Sequence, residues 1–399
     1  MSREMAQEID SGGESAFNPA LRVLPIPGIR RMVNLASTMD DVIHLSIGQP
    51  DFPTPPHIVE AHIQALRDGH TGYTMDAGLP ELVTELVAYY SERYGRQLKE
   101  DNFLVTTGAT EALYLALSAT AAPGREFLIP EPTFPLYAPL VRMNGGEVKS
   151  IETSADRGYQ LDPQEVIDAI GMSTYAIVLN SPNNPTGVVY PRETVEAIVQ
   201  EAAYRGVKVI SDEVYDHLVL DDIEYPSIIS CAADIDQTMV VSSFSKTFSM
   251  PGMRIGWIIA SEAAIKTLRR YHMFTTTVAN TPGQWAGVAA LTGGRGFLDE
   301  MIAEYRRRRD KVVQLVGDAP HLTGYWPQGA FYILPSLPAN ADGSSVALRM
   351  LEETGVCTVP GETFGESTTN TFRISFSTSL EKIEEAFSRM IPWLEKQQF

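Results

Sequence analysis

From about residue 50 to residue 290 the apolar positions fall into a repeating order. A short, largely β-branched run is followed by a polar or glycine-bearing loop and then by apolar residues at helical spacing. That order is the grammar of an α/β fold. It predicts strands at "NFLVTT" (102–107), "EFLIP" (126–130), "YAIVLN" (175–180), "VKVIS" (207–211), "TMVVSS" (238–243) and "RIGWIIA" (254–260). Helices are predicted between them at "EALYLALSATA", "DPQEVIDAIG" and "RETVEAIVQEAAYRG". Past residue 295 the order changes to a long charged helix, the apolar runs "GAFYILPSL", "GVCTVPG" and "TFRISFS", and a closing helix from Leu380. The division expected is a loose tail over residues 1–20, a large domain over 51–294, and a smaller, discontinuous α+β domain built from 21–50 and 295–399. A cleft is expected between the two.

Composition narrows the function. The chain has 399 residues, 44% of them hydrophobic and 20% charged, as in ordinary globular proteins. A net charge of −19 argues against nucleic acid, which needs a basic face. The one dense basic run, "YRRRRD" at 305–310, lies in a helical pattern and reads as a solvated or salt-bridged helix face. Cys231 and Cys357 are too few and too far apart for a disulfide framework, so a reducing cytoplasm is expected. The seven histidines show no metal-ligand spacing. The polar N-terminus lacks the apolar core of a signal peptide, and no apolar run reaches bilayer length.

Ligands of open α/β sheets bind beyond the carboxyl ends of the strands, and the unusual residues of this sequence fall there. The first strand runs into "GATEAL", where Gly108, Ala109 and Thr110 would open a helix whose amides suit an anion. "EPTFPLY" brings Phe134 and Tyr137 to the same edge, either to stack on a flat ring or to fill the core. "NSPNNPTG" is a rigid loop whose Asn180, Asn183 and Asn184 are turn formers or ligand amides. Asp212, at a strand tip in "SDEVYDHL", either caps a following helix or faces a ligand, with Tyr215 just beyond. Lys246 stands on the loop between two buried strands. A desolvated lysine beside a second cation has a lowered pKa and becomes a nucleophile able to form a Schiff base. Arg254 is a candidate for that cation, or for sharing a phosphate with Ser243. In "NTFRISFS", Arg373 alternates with Phe372 and Ile374 and is flanked by small hydroxyls, leaving room to grip a carboxylate bidentately. A phosphate cradle, a stacking ring, a carboxylate, a phenol, a lysine and an arginine together suit pyridoxal 5′-phosphate (PLP) and an amino acid.

Seven motifs in order, "LSIGQPDFPTP", "GYTMDAGLPEL", "TTGATEAL", "NSPNNPTG", "SDEVY", "SFSKTFSMPGMRIGW" and "TFRISFS", resemble those of the fold-type I PLP-dependent aminotransferases of the aspartate aminotransferase superfamily (class I/II). The likeness runs from about Leu21 to the end. It implies an α/β fold with a mostly parallel seven-stranded sheet between helices, plus the smaller domain. It also implies PLP as cofactor, an amino acid and a 2-oxo acid as substrates, and a homodimer with shared active sites. Carried over, it makes Lys246 the lysine that bonds the cofactor aldehyde and later shuttles the proton. Asp212 pairs with the ring nitrogen, Asn184 and Tyr215 with the ring's phenolate oxygen, and Phe134 stacks on the ring. Gly108, Ala109, Thr110, Ser243 and Arg254 hold the phosphate, and Tyr73 reaches in from a second subunit. Arg373 binds the substrate α-carboxylate with help from the backbone at Gly48. The extra arginine of dicarboxylate specialists has no counterpart in "MFTTTVANTPGQWAG", although Arg30 and Arg31 lie in a segment that often lines the cleft. The resemblance favours transamination. A Cβ–S lyase or related α,β-elimination enzyme on the same scaffold is the alternative, and a non-catalytic sensor domain the remote one.

Overall fold

A computed structural model describes residue 24 and residues 28–399 of the chain; the expected tail lies outside them. A short strand β1 (Ile43–His44) precedes the main sheet, whose strands are β2 (Phe103–Thr106), β3 (Glu126–Glu131), β4 (Glu147–Glu152), β5 (Thr174–Asn180), β6 (Lys208–Asp212), β7 (Thr238–Ser243) and β8 (Gly256–Ala260). They are ordered β2-β8-β7-β6-β5-β3-β4. Strand β8 runs antiparallel to both neighbours and every other pairing is parallel. The expected mostly parallel seven-stranded sheet is therefore present.

Six of these strands coincide with the apolar runs; β4 does not. Its sequence, "EVKSIE", is largely polar and exposed, because it forms an edge and turns only Ile151 fully into one core, with Val148 partly packed against the other. In the central strands successive residues enter opposite cores, as the two-residue period of a strand requires. Ile177, Leu179, Val209, Val240 and Ile259 pack on one face, and Ala176, Val178, Ile210, Val241 and Ile258 on the other. Both faces are covered by helices, the condition under which a parallel sheet can be apolar throughout.

A third core gathers Met32, Ile43 and Leu45 with Leu298, Tyr305, Val356, Phe372, Ile374 and Phe387. Its strands are short: β9 (Tyr332–Ile333), β10 (Val356–Cys357), β11 (Val359–Pro360) and β12 (Phe372–Ser375). Strand β1 pairs with β10, and β12 lies between β11 and β9. The middle of the chain also enters this core through Val214, Tyr215 and Leu218, so Tyr215 stands where it meets the end of β6. The arginine run lies on the helix Gly296–Asp318, and each of its four members is ion-paired. Arg306 meets Asp222, Arg307 meets Glu304, Arg308 meets Asp51 and Glu304, and Arg309 meets Asp221 and Asp310. Arg308 and Arg309 are buried, so this is a brace between segments more than a solvated face. No helix among the described residues is long and apolar enough to cross a membrane.

Candidate active site

The carboxyl ends of β2, β5, β6 and β7 open onto a cavity of about 280 Å³. Among its lining residues are Gly48, Ala109, Thr110, Phe134, Asn184, Asp212, Tyr215, Ser243, Lys246, Arg254 and Arg373. A larger, more open depression of about 780 Å³ lies at the opposite strand ends, around Tyr175, Lys208 and Met239, and holds none of the expected groups. Of the residues singled out in the sequence, Gly108 stands just behind the cavity wall, and Tyr73 is 86% exposed and does not line its own chain's cavity. Arg30 and Arg31 are exposed, and their helix sends Ile29 to the cavity instead.

The end of the cavity expected to take an anion is built at the start of the helix Gly108–Ser118. Gly108 has φ +74°, and a Cβ there would lie 2.3 Å from Nη2 of Arg254, so both the backbone and the arginine demand a glycine. Arg254 is itself left-handed at φ 57° and donates from Nη1 to the Pro251 carbonyl at 2.9 Å. That conformation delays the predicted last strand to Gly256 and turns the guanidinium into the site. Behind the helix start, buried Glu111 accepts from the Thr107 amide at 2.6 Å and from the Thr275 and Thr276 hydroxyls. Burial alone would raise its pKa. Hydrogen bonds from His272, Thr276 and the Thr107 amide outweigh that and bring it down to about 2. Glu111 thus pins the segment that presents the amides, a role with no local sequence signal.

The carboxylate and the amine share the cavity's interior. Asp212 does not cap a helix, since a turn follows β6. Its Oδ1 accepts from the Val214 amide at 3.3 Å and its Oδ2 from the Tyr137 hydroxyl at 2.7 Å. Burial raises its pKa to about 6, against the pull of Tyr137, Val214 and Lys246. Tyr137 is therefore a hydrogen-bond partner of the carboxylate, and both it and Phe134, edge-on to it at 5.9 Å, line the cavity. Lys246 donates from Nζ to the Gly48 carbonyl at 2.5 Å. Burial and then the Arg373 charge lower its pKa to about 8, with Asp212 opposing and Arg254 adding a smaller push. The second cation that the lysine needs is thus mainly Arg373, which sequence proximity could not reveal.

Arg373 is 1% exposed. It donates from Nη1 to Asn184 Oδ1 at 2.8 Å and from Nη2 to the Ser46 carbonyl at 2.7 Å, while its buried Nε has no partner. The asparagine loop divides by role. Asn183 closes the turn onto Thr186, whereas Asn180 holds both the Asn184 amide and the Asp212 carbonyl. Tyr332, from the run "GAFYILPSL", lines the cavity with its hydroxyl 2.9 Å from that of Tyr215.

Comparison with known proteins agrees with this arrangement. The family model for aminotransferase class I and II matches residues 40–390. Aspartate aminotransferase from Pyrococcus horikoshii is 36% identical over 370 residues, covering 92% of this chain and 94% of that protein. Aromatic-amino-acid aminotransferase 2 from Thermococcus litoralis is 33% identical, covering 94% and 97%. The crystal structure of aspartate aminotransferase from Thermotoga maritima superposes with a TM-score of 0.90 at 34% identity, covering 95% of this chain and 100% of that one. The lyase alternative finds no support among these relatives. The chain belongs to the aminotransferase class I and II family, whose members use PLP.

Proposed function

We propose that this chain holds PLP through Lys246 and moves an amino group between an L-amino acid and a 2-oxo acid in two half-reactions. The observation that carries this reading is the convergence of half-buried Lys246 with buried Asp212 and Arg373 on one cavity of about 280 Å³. The donor set fits the cofactor. The amides of Ala109 and Thr110, with Ser243 and Arg254, offer a phosphate cradle, and the close approach at Gly108 keeps Arg254 against it. Asp212 offers a buried anion to the ring nitrogen. Asn184, whose Oδ1 is taken by Arg373, has its amide protons left for the ring oxygen, together with Tyr215.

The chemistry supplied by bound PLP is an aldehyde that takes the amino group and a ring that accepts electrons. The protein's part is positioning and proton transfer. Arg373 binds the α-carboxylate, and the protons left on its two Nη atoms give the forked geometry that a carboxylate matches. Lys246, with its pKa near 8, is poised to take the proton from the substrate Cα and return it on the cofactor side. A positioned acid–base group of this kind typically contributes about 10²–10⁴-fold.

The same reading extends to assembly and location. The large domain is read as residues 51–294 and the small one as residues 21–50, of which 24 and 28–50 are described, with 295–399; the core around Ile43 and Phe372 supports the division, with Val214, Tyr215 and Leu218 entering it from the large domain. A homodimer with shared sites is supported by an exposed apolar group at Tyr73, Met75, Met273 and Phe274, the last 90% exposed. Its two segments lie together, since Thr281 donates to the Gly72 carbonyl and Arg269 pairs with Asp76. A reducing cytoplasm suits two buried, unpaired cysteines.

The test is a half-reaction without acceptor. Holoenzyme should consume one equivalent of its amino acid per site and stop, then resume on addition of a 2-oxo acid. Continuous release of ammonia and pyruvate from a β-substituted amino acid, with no such stop for any amino acid, would overturn the assignment in favour of elimination.

A further inference from the structure

Tyr332 touches three parts of the site at once. It belongs to β9, where it pairs with Ser375 of β12, placing it diagonally across from Arg373 on the neighbouring strand. The Arg373 guanidinium carbon lies 4.4 Å from the centroid of its ring, within the range in which an aromatic face holds a cation. Its hydroxyl lies 2.9 Å from that of Tyr215. A Cβ on Gly48 would fall 2.5 Å from the Tyr332 hydroxyl oxygen, so the phenol is wedged against the strip whose carbonyl receives Lys246. Tyr332 is 1% exposed.

Resting on the reading above, we propose that Tyr332 is a positioning residue with two separable parts. Its hydroxyl donates to the Tyr215 oxygen and so turns the Tyr215 proton toward the cofactor ring oxygen, and its ring seats Arg373 for the substrate carboxylate. The direction of the first hydrogen bond follows from proton counting. Each phenol has a single proton. Within the pair one hydroxyl must donate and the other accept, and Tyr215 can serve an anionic ring oxygen only if it is the acceptor from Tyr332. A chain of donors polarised in one direction strengthens its last member.

The test uses holoenzyme and two variants. A donor to the ring oxygen withdraws charge from it and makes the adjoining lysine-bound nitrogen less basic. Tyr332→Phe, which keeps the ring, should therefore raise the pKa of the lysine–cofactor absorbance by a few tenths of a unit, because Tyr215 keeps its bond to the ring oxygen and loses only the strengthening that Tyr332 gave it, about 10–30% of that bond. Its KM for the amino acid should stay within about twofold, since ring stacking is retained. Tyr332→Leu, which loses the ring, should raise that KM by about fivefold or more. An unchanged or lowered absorbance pKa in Tyr332→Phe would overturn the donor assignment, and a raised KM in the same variant would overturn the separation of the two parts even if Tyr332→Leu fails to fold. A wild-type KM in folded Tyr332→Leu would overturn the seating of Arg373. If the wild type shows no lysine-bound absorbance at all, the parent reading fails, and that outcome is distinct from either variant result.

Discussion

The hydrogen bond from Tyr137 to Asp212 sets how much of that carboxylate is charged at neutral pH. Burial has already raised the Asp212 pKa to about 6, and the Tyr137 hydroxyl, 2.7 Å from Oδ2, is the strongest of the groups that hold it down. Tyr137→Phe removes that donor while keeping the ring edge-on to Phe134. A hydrogen bond to a charged group contributes about 1.5–3 kcal/mol, and one pKa unit corresponds to about 1.4 kcal/mol, so the shift should be about one to two units upward. The sign is fixed, because the lost bond favoured the ionised form. At pH 7 the ionised fraction should fall from about nine-tenths to about half or less. The assay is infrared difference spectroscopy of the apoenzyme, following the protonated carboxyl band with pH, with Asp212→Asn identifying the band. A midpoint within about half a unit of wild type, against the expected one to two, would refute the argument. So would a band that persists in Asp212→Asn.

Three further outcomes follow from the geometry. The apoenzyme should recombine with PLP at a rate that rises with pH around a midpoint of about 8, because the free amine of Lys246 is the reacting form. Arg373→Met, which removes the cation contributing most to that lowering, should move the midpoint upward, and stopped-flow absorbance checks both. Gly108→Ala forces a Cβ onto Arg254 and a left-handed backbone onto alanine. It should cost about 1–2 kcal/mol in stability and weaken PLP binding by about tenfold or more, read by thermal melts and equilibrium dialysis; wild-type values for both would contradict the cradle.

Much of this molecule is written in its local sequence. The period of the apolar runs determined six of the seven sheet strands, because a buried parallel strand needs β-branched residues on both faces. The short motifs between them carried Lys246, Asp212, Asn184 and Arg254, which lie at strand ends, on loops or on a one-turn helix and converge because the strand ends face one way, while Arg373 reaches the same cavity from within β12 of the other sheet. Tertiary structure alone decided the rest. Strand β4 is an edge whose polar sequence carries no strand signal. The partner of Asp212 is 75 residues away in Tyr137, and that of Tyr215 is 117 residues away in Tyr332. Arg373, far along the chain, lowers the Lys246 pKa more than the nearby Arg254 does. Motifs record which groups the chemistry needs, whereas distance and burial, which set pKa values and hydrogen-bond partners, exist only once remote segments have packed.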